Sequence, residues 1–300
     1  MRRRIVLGLA AGLVLACGID GSATSDSSRK SEEAALIGAV TLTSQDPLFG
    51  GFSALWVGPS GTDMIAVSDR GAYARGLILR DAKGTVASLQ LGPMTRLRPA
   101  KGTAPSGRRS DSEGLAIGAD GQVFVSFENI SRVSRFAGLN AVPVDLPDNP
   151  AFALLPSNQS LEALAIDAQG TLYTVPEAPV GRMIPVHVFR NGKWRDPLTL
   201  PRIGNFLPVS ADFGPDGRFY LLERRFDGLT GFASRLRRFD LGANGFSDGE
   251  ILLQTKVGRH DNLEGMSIWR APDGLRATLI SDDNFFALQV TEIVEYSLPD

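Results

Sequence analysis

Acidic side chains recur along the chain, each just ahead of a short apolar run. Glu113, Glu162 and Glu264 mark the three clearest copies, in residues 110–117, 158–166 and 261–268. Weaker copies lie in residues 51–57 and 208–213, where Asp212 takes the acidic place. If the apolar runs are equivalent strands of repeated units, the fold gathers these carboxylates in one place. Clustered carboxylates bind hard cations or transfer protons, so the pattern indicates one of these two kinds of site.

A second set of acids follows the next apolar run of each unit. Its members are Asp69, Glu128, Glu177, Glu223 and the pair Asp282 and Asp283. Cationic and amide side chains neighbour them in the sequence, namely Arg70, Asn129, Arg224, Arg225 and Asn284, while Arg259 and His260 precede the last unit. Acids interleaved with arginines favour chemistry on a small anionic or ester substrate.

Three roles for these side chains are open on the sequence alone. In the first, a hard cation such as Ca²⁺ relieves the repulsion between carboxylates. The predicted ligands are Glu113, Glu162, Glu264 and Asp69. In the second, carboxylates catalyse hydrolysis of an anionic ester such as a phosphate ester. The predicted catalytic residues are Asp282, Asp283 and His260, and the predicted substrate-binding residues are Arg70, Arg224, Arg259 and Asn284.

In the third role, each repeated Glu accepts hydrogen bonds from backbone N–H groups of the neighbouring unit. A structural role predicts the same residue in every unit, whereas catalysis predicts residues that are not repeated. The unrepeated segments 282–284 and 259–261 are therefore stronger catalytic candidates than Glu113. Residues 69–70, 106–109 and 223–225 are further unrepeated segments. The sequence contains no Gly-X-Ser-X-Gly elbow, no Cys/His cluster and no phosphate-cradling Gly loop, so a serine-hydrolase triad is poorly supported.

The elements that must position these residues are short strands joined by tight turns. Asp-Gly pairs, which favour two-residue hairpin turns, end at Gly121, Gly217 and Gly274, and Gly170 follows Gln in the equivalent place. These glycines recur at roughly 50-residue intervals, and about four strand patterns fit between them. This period is typical of an all-β propeller. We predict five four-stranded blades, with six as the alternative count; a β-sandwich does not explain the regular spacing.

The fifth unit has only three clear strands, and the lone strand pattern at residues 35–43 supplies the fourth. Pairing the two ends of the chain closes the ring and removes its open edges. In such a ring, the start of the innermost strand and the end of the second strand of every blade lie on one face. The patterned acids therefore converge on one mouth of the central channel.

The N-terminus predicts export. Residues 1–16 combine three arginines with an apolar segment too short to span a bilayer, which is typical of a signal peptide. Cys17, the only cysteine, follows at once and resembles a lipidation site, and residues 17–34 read as a flexible tether to a domain at 35–300. We expect a monomer in the periplasm or cell envelope that contacts the membrane only through its lipid anchor. The net charge of −2 disfavours nucleic-acid binding.

Several of these motifs resemble a known family. Residues 112–116, 262–266 and 279–291 look like segments of the phytase-like, "esterase-like activity of phytase", family of exported bacterial proteins. The resemblance implies a propeller that hydrolyses phosphate or carboxylic esters, with Ca²⁺ as in β-propeller phytases. The motif positions that carry over are Glu113, Glu264, Asp282, Asp283 and Asn284. A non-catalytic binding propeller is the alternative function, and a sugar-lactone lyase or lactonase is a third.

Overall fold

The computed structural model describes residues 33–100, 109–157, 159–177 and 181–300. Its regular structure there is almost entirely β-strand, with two short 3-10 helices at Pro150–Leu154 and Gly228–Thr230. None of the helices in this part of the chain is long and apolar enough to span a bilayer. The predicted signal peptide, Cys17 and the segment 106–108 lie outside the described residues.

The strands form five antiparallel blades and one small ribbon. Blade 5 contains β1 (Ala35–Leu42), β22 (Asn262–Ala271), β23 (Gly274–Asp282) and β24 (Thr291–Leu298). Blade 1 contains β2 (Phe52–Val57), β3 (Asp63–Ser68), β4 (Ala72–Arg80), β5 (Val86–Leu91) and β6 (Thr95–Arg96). Blade 2 contains β7 (Ser112–Ile117), β8 (Val123–Phe127), β9 (Arg132–Phe136) and β10 (Val144–Asp145).

The remaining two blades complete the ring. Blade 3 contains β11 (Leu161–Ile166), β12 (Leu172–Pro176), β13 (Met183–Arg190), β14 (Lys193–Trp194) and β15 (Leu198–Pro201). Blade 4 contains β16 (Leu207–Phe213), β17 (Phe219–Phe226), β18 (Phe232–Phe239) and β21 (Glu250–Gln254). The ribbon pairs β19 (Leu241–Gly242) with β20 (Gly245–Phe246).

The N-terminal strand closes the ring as predicted. β1 pairs antiparallel with β24, in a register that runs from Ala35 opposite Ser297 to Leu42 opposite Thr291. The five-blade prediction is thereby confirmed. Tight turns form at these predicted places, but as three-residue loops in which only the glycine has a positive φ. Gly121, Gly170 and Gly217 adopt φ values of 78°, 79° and 77°. An L side chain rarely adopts this left-handed conformation, so glycine is required at these three places.

Apolar clusters fill the five seams between neighbouring blades. Trp269 joins blade 5 to blade 1, Leu115 joins blade 2 to blade 1, and Phe152 joins the blade 2 connection to blade 3. Phe219 and Leu263 take part in the clusters at the other two seams. Each inner strand is covered on both faces, so it is apolar almost throughout rather than alternating. These seams fix the blades around the channel and hold the mouth residues in place.

Candidate active site

A β-bulge interrupts the innermost strand of every blade near the mouth. The register shifts between Phe52 and Ala54, Ser112 and Leu115, Leu161 and Ala163, Pro208 and Ser210, and Leu263 and Gly265. The extra residue is Glu113, with Gly114, in blade 2, Glu162 in blade 3 and Glu264 in blade 5. Ser53 and Val209 take this position in blades 1 and 4. A bulge re-aims a side chain that regular pairing would bury in the sheet.

A second ring lies where the second strand of each blade ends. Each member lies opposite the residue that precedes the bulge residue of its own blade by two positions. The two are joined either as partners in the strand register or by a backbone hydrogen bond. The ring consists of Asp69, Glu128, Glu177, Arg224 and Asp282. Four blades thus supply an acid and blade 4 supplies an arginine. With Asp111 and the three bulge glutamates, these mouth positions supply eight carboxylates and one guanidinium.

Arg224 neutralises one side of the mouth. Its Nη2 donates to Glu177 Oε1 over 3.0 Å, and its Nη1 donates to Asn262 Oδ1 over 2.7 Å and to Glu264 Oε1. Burial alone lowers the pKa of the guanidinium, but the charges of Glu264 and Glu177 outweigh this and raise it. Arg224 is therefore a permanent cation whose donors are directed at protein carboxylates.

The opposite side of the mouth holds carboxylates without such a partner. Ligand oxygens of Asp111, Glu113 and Glu128 lie within 4.8 Å of one another. Within the described residues, no cationic side chain forms an ion pair with any of the three. Asn129 donates its side-chain amide to Asp111, and the backbone N–H of Ser160 donates to Glu128 over 3.4 Å. These partners, and the hydrogen bond that Glu128 shares with Glu162, bring no positive charge to the three acids.

The pKa values of these acids are raised, first by burial and then by the charges of neighbouring acids. Burial, followed by the charges of Glu162 and Glu264, raises the pKa of Glu113 well above its ordinary value. Burial raises the pKa of Glu128 to about 7, although a hydrogen bond with Glu162 opposes the rise. Burial and the charge of Asp111 raise the pKa of Asp69 to about 6. A cation at this side of the mouth would replace these protons.

The sequence profile of the phytase-like family, described as "Esterase-like activity of phytase", matches residues 47–285. The chain belongs to the phytase-like family. Comparison with curated proteins finds no match. Solved structures with a similar fold include a PQQ-bound aldose sugar dehydrogenase from Streptomyces coelicolor, with 14% identity, a TM-score of 0.46 and coverage of 87% of this chain and 98% of that one. Another is virginiamycin B lyase from Staphylococcus aureus, with 16% identity, a TM-score of 0.40 and coverage of 89% and 75%.

The donor set of the phytase-like mouth fits a hard divalent cation. Every candidate ligand on blade 2 is a carboxylate oxygen, and no nitrogen or sulfur ligand lies among Asp111, Glu113 and Glu128. Ca²⁺ takes six to eight such oxygens from carboxylates, carbonyls and water. Glu162, which shares a hydrogen bond with Glu128, is positioned as a neighbouring donor. The residues present therefore suit Ca²⁺ better than a transition metal.

The phytase-like mouth also contains Asp282, a predicted catalytic residue. Its Oδ1 accepts the backbone N–H of Asn284 over 2.7 Å, and its Oδ2 lies 3.4 Å from the side-chain nitrogen of Asn262. Burial and the charge of Glu264 raise the pKa of Asp282 to about 8. The carboxyl group is thus buried, oriented by two donors and protonated at neutral pH.

Other predicted site residues serve the scaffold in this geometry. Asp283 accepts hydrogen bonds from the backbone N–H groups of Gly51 and Phe285 and from the hydroxyl of Thr291, which ties blade 5 to blade 1. Asn284 is exposed and adopts a φ of 48°, so its place in the motif reflects the turn that follows Asp282. The three donors leave Asp283 little capacity for a substrate.

His260 is buried against β24 of blade 5. Its Nε2 is 2.7 Å from the hydroxyl of Tyr296, and its Nδ1 is 3.3 Å from Glu292 Oε1. Arg259 is exposed beside Tyr296, which hydrogen bonds to it. Neither side chain contacts the mouth carboxylates within the described structure, so the geometry disfavours their predicted catalytic and substrate-binding roles.

Two acids of the sequence pattern point away from the mouth. Glu223 lies beside Arg224 on β17 but faces the other side of the strand, where it pairs with Arg235 over 2.7 Å and Arg237 over 3.5 Å. Asp212 lies beyond the bulge of β16 and accepts the backbone N–H of Ile268 over 2.8 Å. Asp212 therefore fastens blade 4 to blade 5, as the structural hypothesis predicted for repeated acids.

Asp111 and Glu128 were not among the predicted metal ligands, although both stand in the acidic pattern. The signal that identifies them is the spacing to the bulge. Asp111 lies two residues before Glu113, and Glu128 hydrogen bonds to the backbone of Asp111 through its own N–H over 2.9 Å. Glu264, a predicted ligand, is instead paired with Arg224.

Proposed function

We propose that this phytase-like propeller hydrolyses a phosphate or carboxylic ester at its acidic mouth, with a divalent cation, Ca²⁺ as first candidate, held by Asp111, Glu113 and Glu128. The observation that carries the proposal is the uneven distribution of charge. Arg224 pairs with Glu177 of blade 3 and Glu264 of blade 5, whereas the blade 2 carboxylates converge without an ion pair to any cationic side chain that the structure describes.

A bound cation supplies charge neutralisation and Lewis-acid polarisation of the ester. The chain's own groups supply the remainder. Asp282 holds a proton at neutral pH and faces the mouth, so it donates that proton to the leaving oxygen as a general acid. Arg70 lies exposed at the rim, with its guanidinium carbon 3.1 Å from the centre of the Phe285 ring. This stacking orients the guanidinium while its N–H donors stay available for an anionic substrate group.

Arg224 acts as a positioning residue in this scheme. Its bonds to Glu177 and Glu264 hold two buried carboxylates apart from the cation site. These acids therefore remain ion-paired while the blade 2 acids bind the cation. The asymmetry of the mouth thus arises because blade 4 has an arginine, Arg224, at the end of its second strand, where the other four blades have an acid.

The test uses purified protein freed of metal by chelation. Hydrolysis of p-nitrophenyl phosphate, bis(p-nitrophenyl) phosphate and p-nitrophenyl acetate is measured with and without Ca²⁺, and Ca²⁺ binding is measured by calorimetry. We expect Glu113→Gln to weaken Ca²⁺ binding and Asp282→Asn to lower kcat while Ca²⁺ affinity is kept. Asp196→Asn, an exposed acid on blade 3, is the matched control.

Two results would contradict the proposal. Unchanged Ca²⁺ affinity in Glu113→Gln removes the cation site from blade 2. Ca²⁺ binding without hydrolysis of any ester assigns the mouth to a non-catalytic binding propeller.

We also propose that the protein is exported and lipid-anchored through Cys17. The support is the order of features in residues 1–34: arginines, a short apolar segment, the sole cysteine and a polar tether. Labelling of expressing bacteria with a fatty-acid analogue tests this. The wild-type protein should incorporate label, and Cys17→Ser should not.

A further inference from the structure

One buried hydroxyl group beside the mouth acids lacks a hydrogen-bond partner within the described part of the chain. It belongs to Ser160, which is fully buried, and its Oγ neither donates to nor accepts from any described residue. A buried polar group that makes no hydrogen bond costs free energy. In native proteins such a group therefore commonly contacts a ligand, an ion or an ordered water. The surroundings of Ser160 indicate which of these it contacts.

The register of Ser160 directs its side chain toward the mouth. Ser160 precedes the bulge residue of its strand by two positions, as do Asp111 in blade 2 and Asn262 in blade 5. The Asp111 carboxylate belongs to the acid cluster of blade 2, and the Asn262 side chain contacts Arg224 and Glu264. The carbonyls of Ser160 and Asp111 both accept the backbone N–H at the end of the second strand. Because equivalent register positions direct their side chains to the same side, the hydroxyl of Ser160 also faces the mouth.

Three acidic residues contact the backbone of Ser160. Its N–H donates to Glu128 Oε1 over 3.4 Å, and its carbonyl accepts the backbone N–H groups of Glu162 over 3.0 Å and Glu177 over 2.9 Å. Glu128 belongs to the acid cluster of blade 2, and Glu162 shares a hydrogen bond with it. Only three covalent bonds separate Oγ from the backbone nitrogen, so the two atoms are at most about 4 Å apart. The hydroxyl therefore lies next to the acid cluster.

This hydroxyl suits a cation better than a substrate. Its oxygen has almost no accessible surface, so the carbon or phosphorus atom of an ester cannot reach it for nucleophilic attack. A cation such as Ca²⁺ is a single atom and binds oxygen ligands at about 2.3–2.6 Å. A hydroxyl oxygen also adds a ligand without adding charge to carboxylates that already repel one another. The position of Ser160 thus fits a neutral ligand.

We infer that Ser160 Oγ is a neutral ligand of the cation held by Asp111, Glu113 and Glu128. The inference rests on the cation site of the proposed function and adds a ligand from a second blade. With Ser160 included, the ligands come from blades 2 and 3, so the bound cation joins two neighbouring blades. The sequence predicted Glu162 as the ligand from blade 3 and did not indicate Ser160.

Ser160→Ala, in purified protein freed of metal by chelation, separates this role from a packing role. In chelator, the urea midpoint should not fall, because the hydroxyl has no hydrogen bond to lose. In calorimetry, the Ca²⁺ dissociation constant should rise at least about 10-fold, since even the loss of a group that supports a metal ligand costs this much. Ser234→Ala, at a buried serine on β18 of blade 4, is the matched control and should keep the wild-type affinity.

Ser160→Cys tests direct contact with the ion. The substitution keeps the shape of the side chain but replaces a hard oxygen with a soft sulfur. The affinity for Ca²⁺ should therefore fall and that for Cd²⁺ should rise, each at least about 10-fold. A thiolate-to-Cd²⁺ charge-transfer band in the ultraviolet should accompany binding. The variant is combined with Cys17→Ser, because Cys17 is the only native cysteine, and Ser234→Cys in the same background should show no such band.

Four results would overturn the inference. If Glu113→Gln weakens Ca²⁺ binding while both Ser160 variants bind like the wild type, the cation site stands without Ser160. Weaker Ca²⁺ binding by the Ser160 variants without the Cd²⁺ band shows that Ser160 acts through another residue. A lower urea midpoint of Ser160→Ala in chelator assigns the hydroxyl to the fold. A wild type that does not bind Ca²⁺ removes the cation site of the proposed function together with this ligand.

Discussion

Glu113→Gln is the change that best distinguishes two roles of Glu113. In one, the side chain is a cation ligand; in the other it is a blade fastener, which accepts hydrogen bonds from the neighbouring blade. The substitution keeps the size of the side chain and removes its charge. Glu113 is buried, and its pKa is raised by burial and by the neighbouring acids Glu162 and Glu264. A raised pKa means that the folded state holds the proton more tightly than the unfolded state. Its contribution to stability is therefore complete below the unfolded pKa and is lost as the pH rises through the folded pKa.

The size of the effect follows from the spacing of the cluster. Two carboxylates whose oxygens are 4.8 Å apart repel by about 3.5 kcal/mol at an effective dielectric constant of about 20. Partial protonation relieves part of this cost. Without a divalent cation, we therefore expect Glu113→Gln to raise the free energy of unfolding by about 1–3 kcal/mol at pH 8 and by much less at pH 4.

With Ca²⁺ bound, we expect Glu113→Gln to lower the free energy of unfolding instead of raising it. If Ca²⁺ stands at 100 times its dissociation constant, it stabilises the wild type by about 2.7 kcal/mol, and a variant with 100-fold weaker binding loses nearly all of this. The assay is urea unfolding of the wild type, Glu113→Gln and Asp196→Asn, in chelator and in Ca²⁺, at pH 4 and pH 8. Destabilisation by Glu113→Gln of the same size in all four conditions would refute the reasoning and make Glu113 a blade fastener.

Three further changes test the scaffold. Arg224→Met leaves the buried carboxylates of Glu177 and Glu264 unpaired, so urea unfolding at pH 7 should show a loss of about 3–5 kcal/mol; a loss below 1 kcal/mol would contradict the pairing. Burial raises the pKa of Asp212 to about 7, so its contribution to stability falls as the pH rises from about 4 to 7. Asp212→Asn should therefore reduce the fall in the free energy of unfolding between pH 5 and pH 8 by about 2–3 kcal/mol, whereas an equal fall in the two proteins would show that Asp212 does not titrate in this range. Asp283→Ala removes the acceptor for three donors and should cost about 1–3 kcal/mol in thermal or urea unfolding, with unchanged Ca²⁺ affinity in calorimetry.

The blade architecture could be predicted from the sequence because the residues that specify it act over short stretches of the chain. Gly121, Gly170 and Gly217 each occupy a left-handed turn position between two strands, and their spacing sets the repeat. The missing strand of the fifth unit also indicated closure, since β1 was the apolar segment without a neighbouring partner. Both inferences depend on short-range turn chemistry and on counting strands, and the closed ring confirms them.

The mouth was harder to predict because one residue of register reverses a side chain. Glu223 and Arg224 are adjacent in the sequence, and only Arg224 reaches the mouth. Likewise, Glu113 is turned by a bulge that strand pairing alone reveals. Asp283 follows Asp282, yet its carboxylate joins two blades. A linear pattern of acids cannot distinguish these directions.

By itself, the sequence predicted five blades over the alternative of six, the closing strand and the face on which most of the acids gather. Turn residues and apolar periodicity act over a few residues, so these properties are encoded locally. Tertiary structure alone decided which acids meet. Asp111, Glu113 and Glu128 come together through a bulge and the pairing of β7 with β8, while Arg224 reaches Glu177 and Glu264 across two blade seams. Contacts over such distances exist only once the ring has closed.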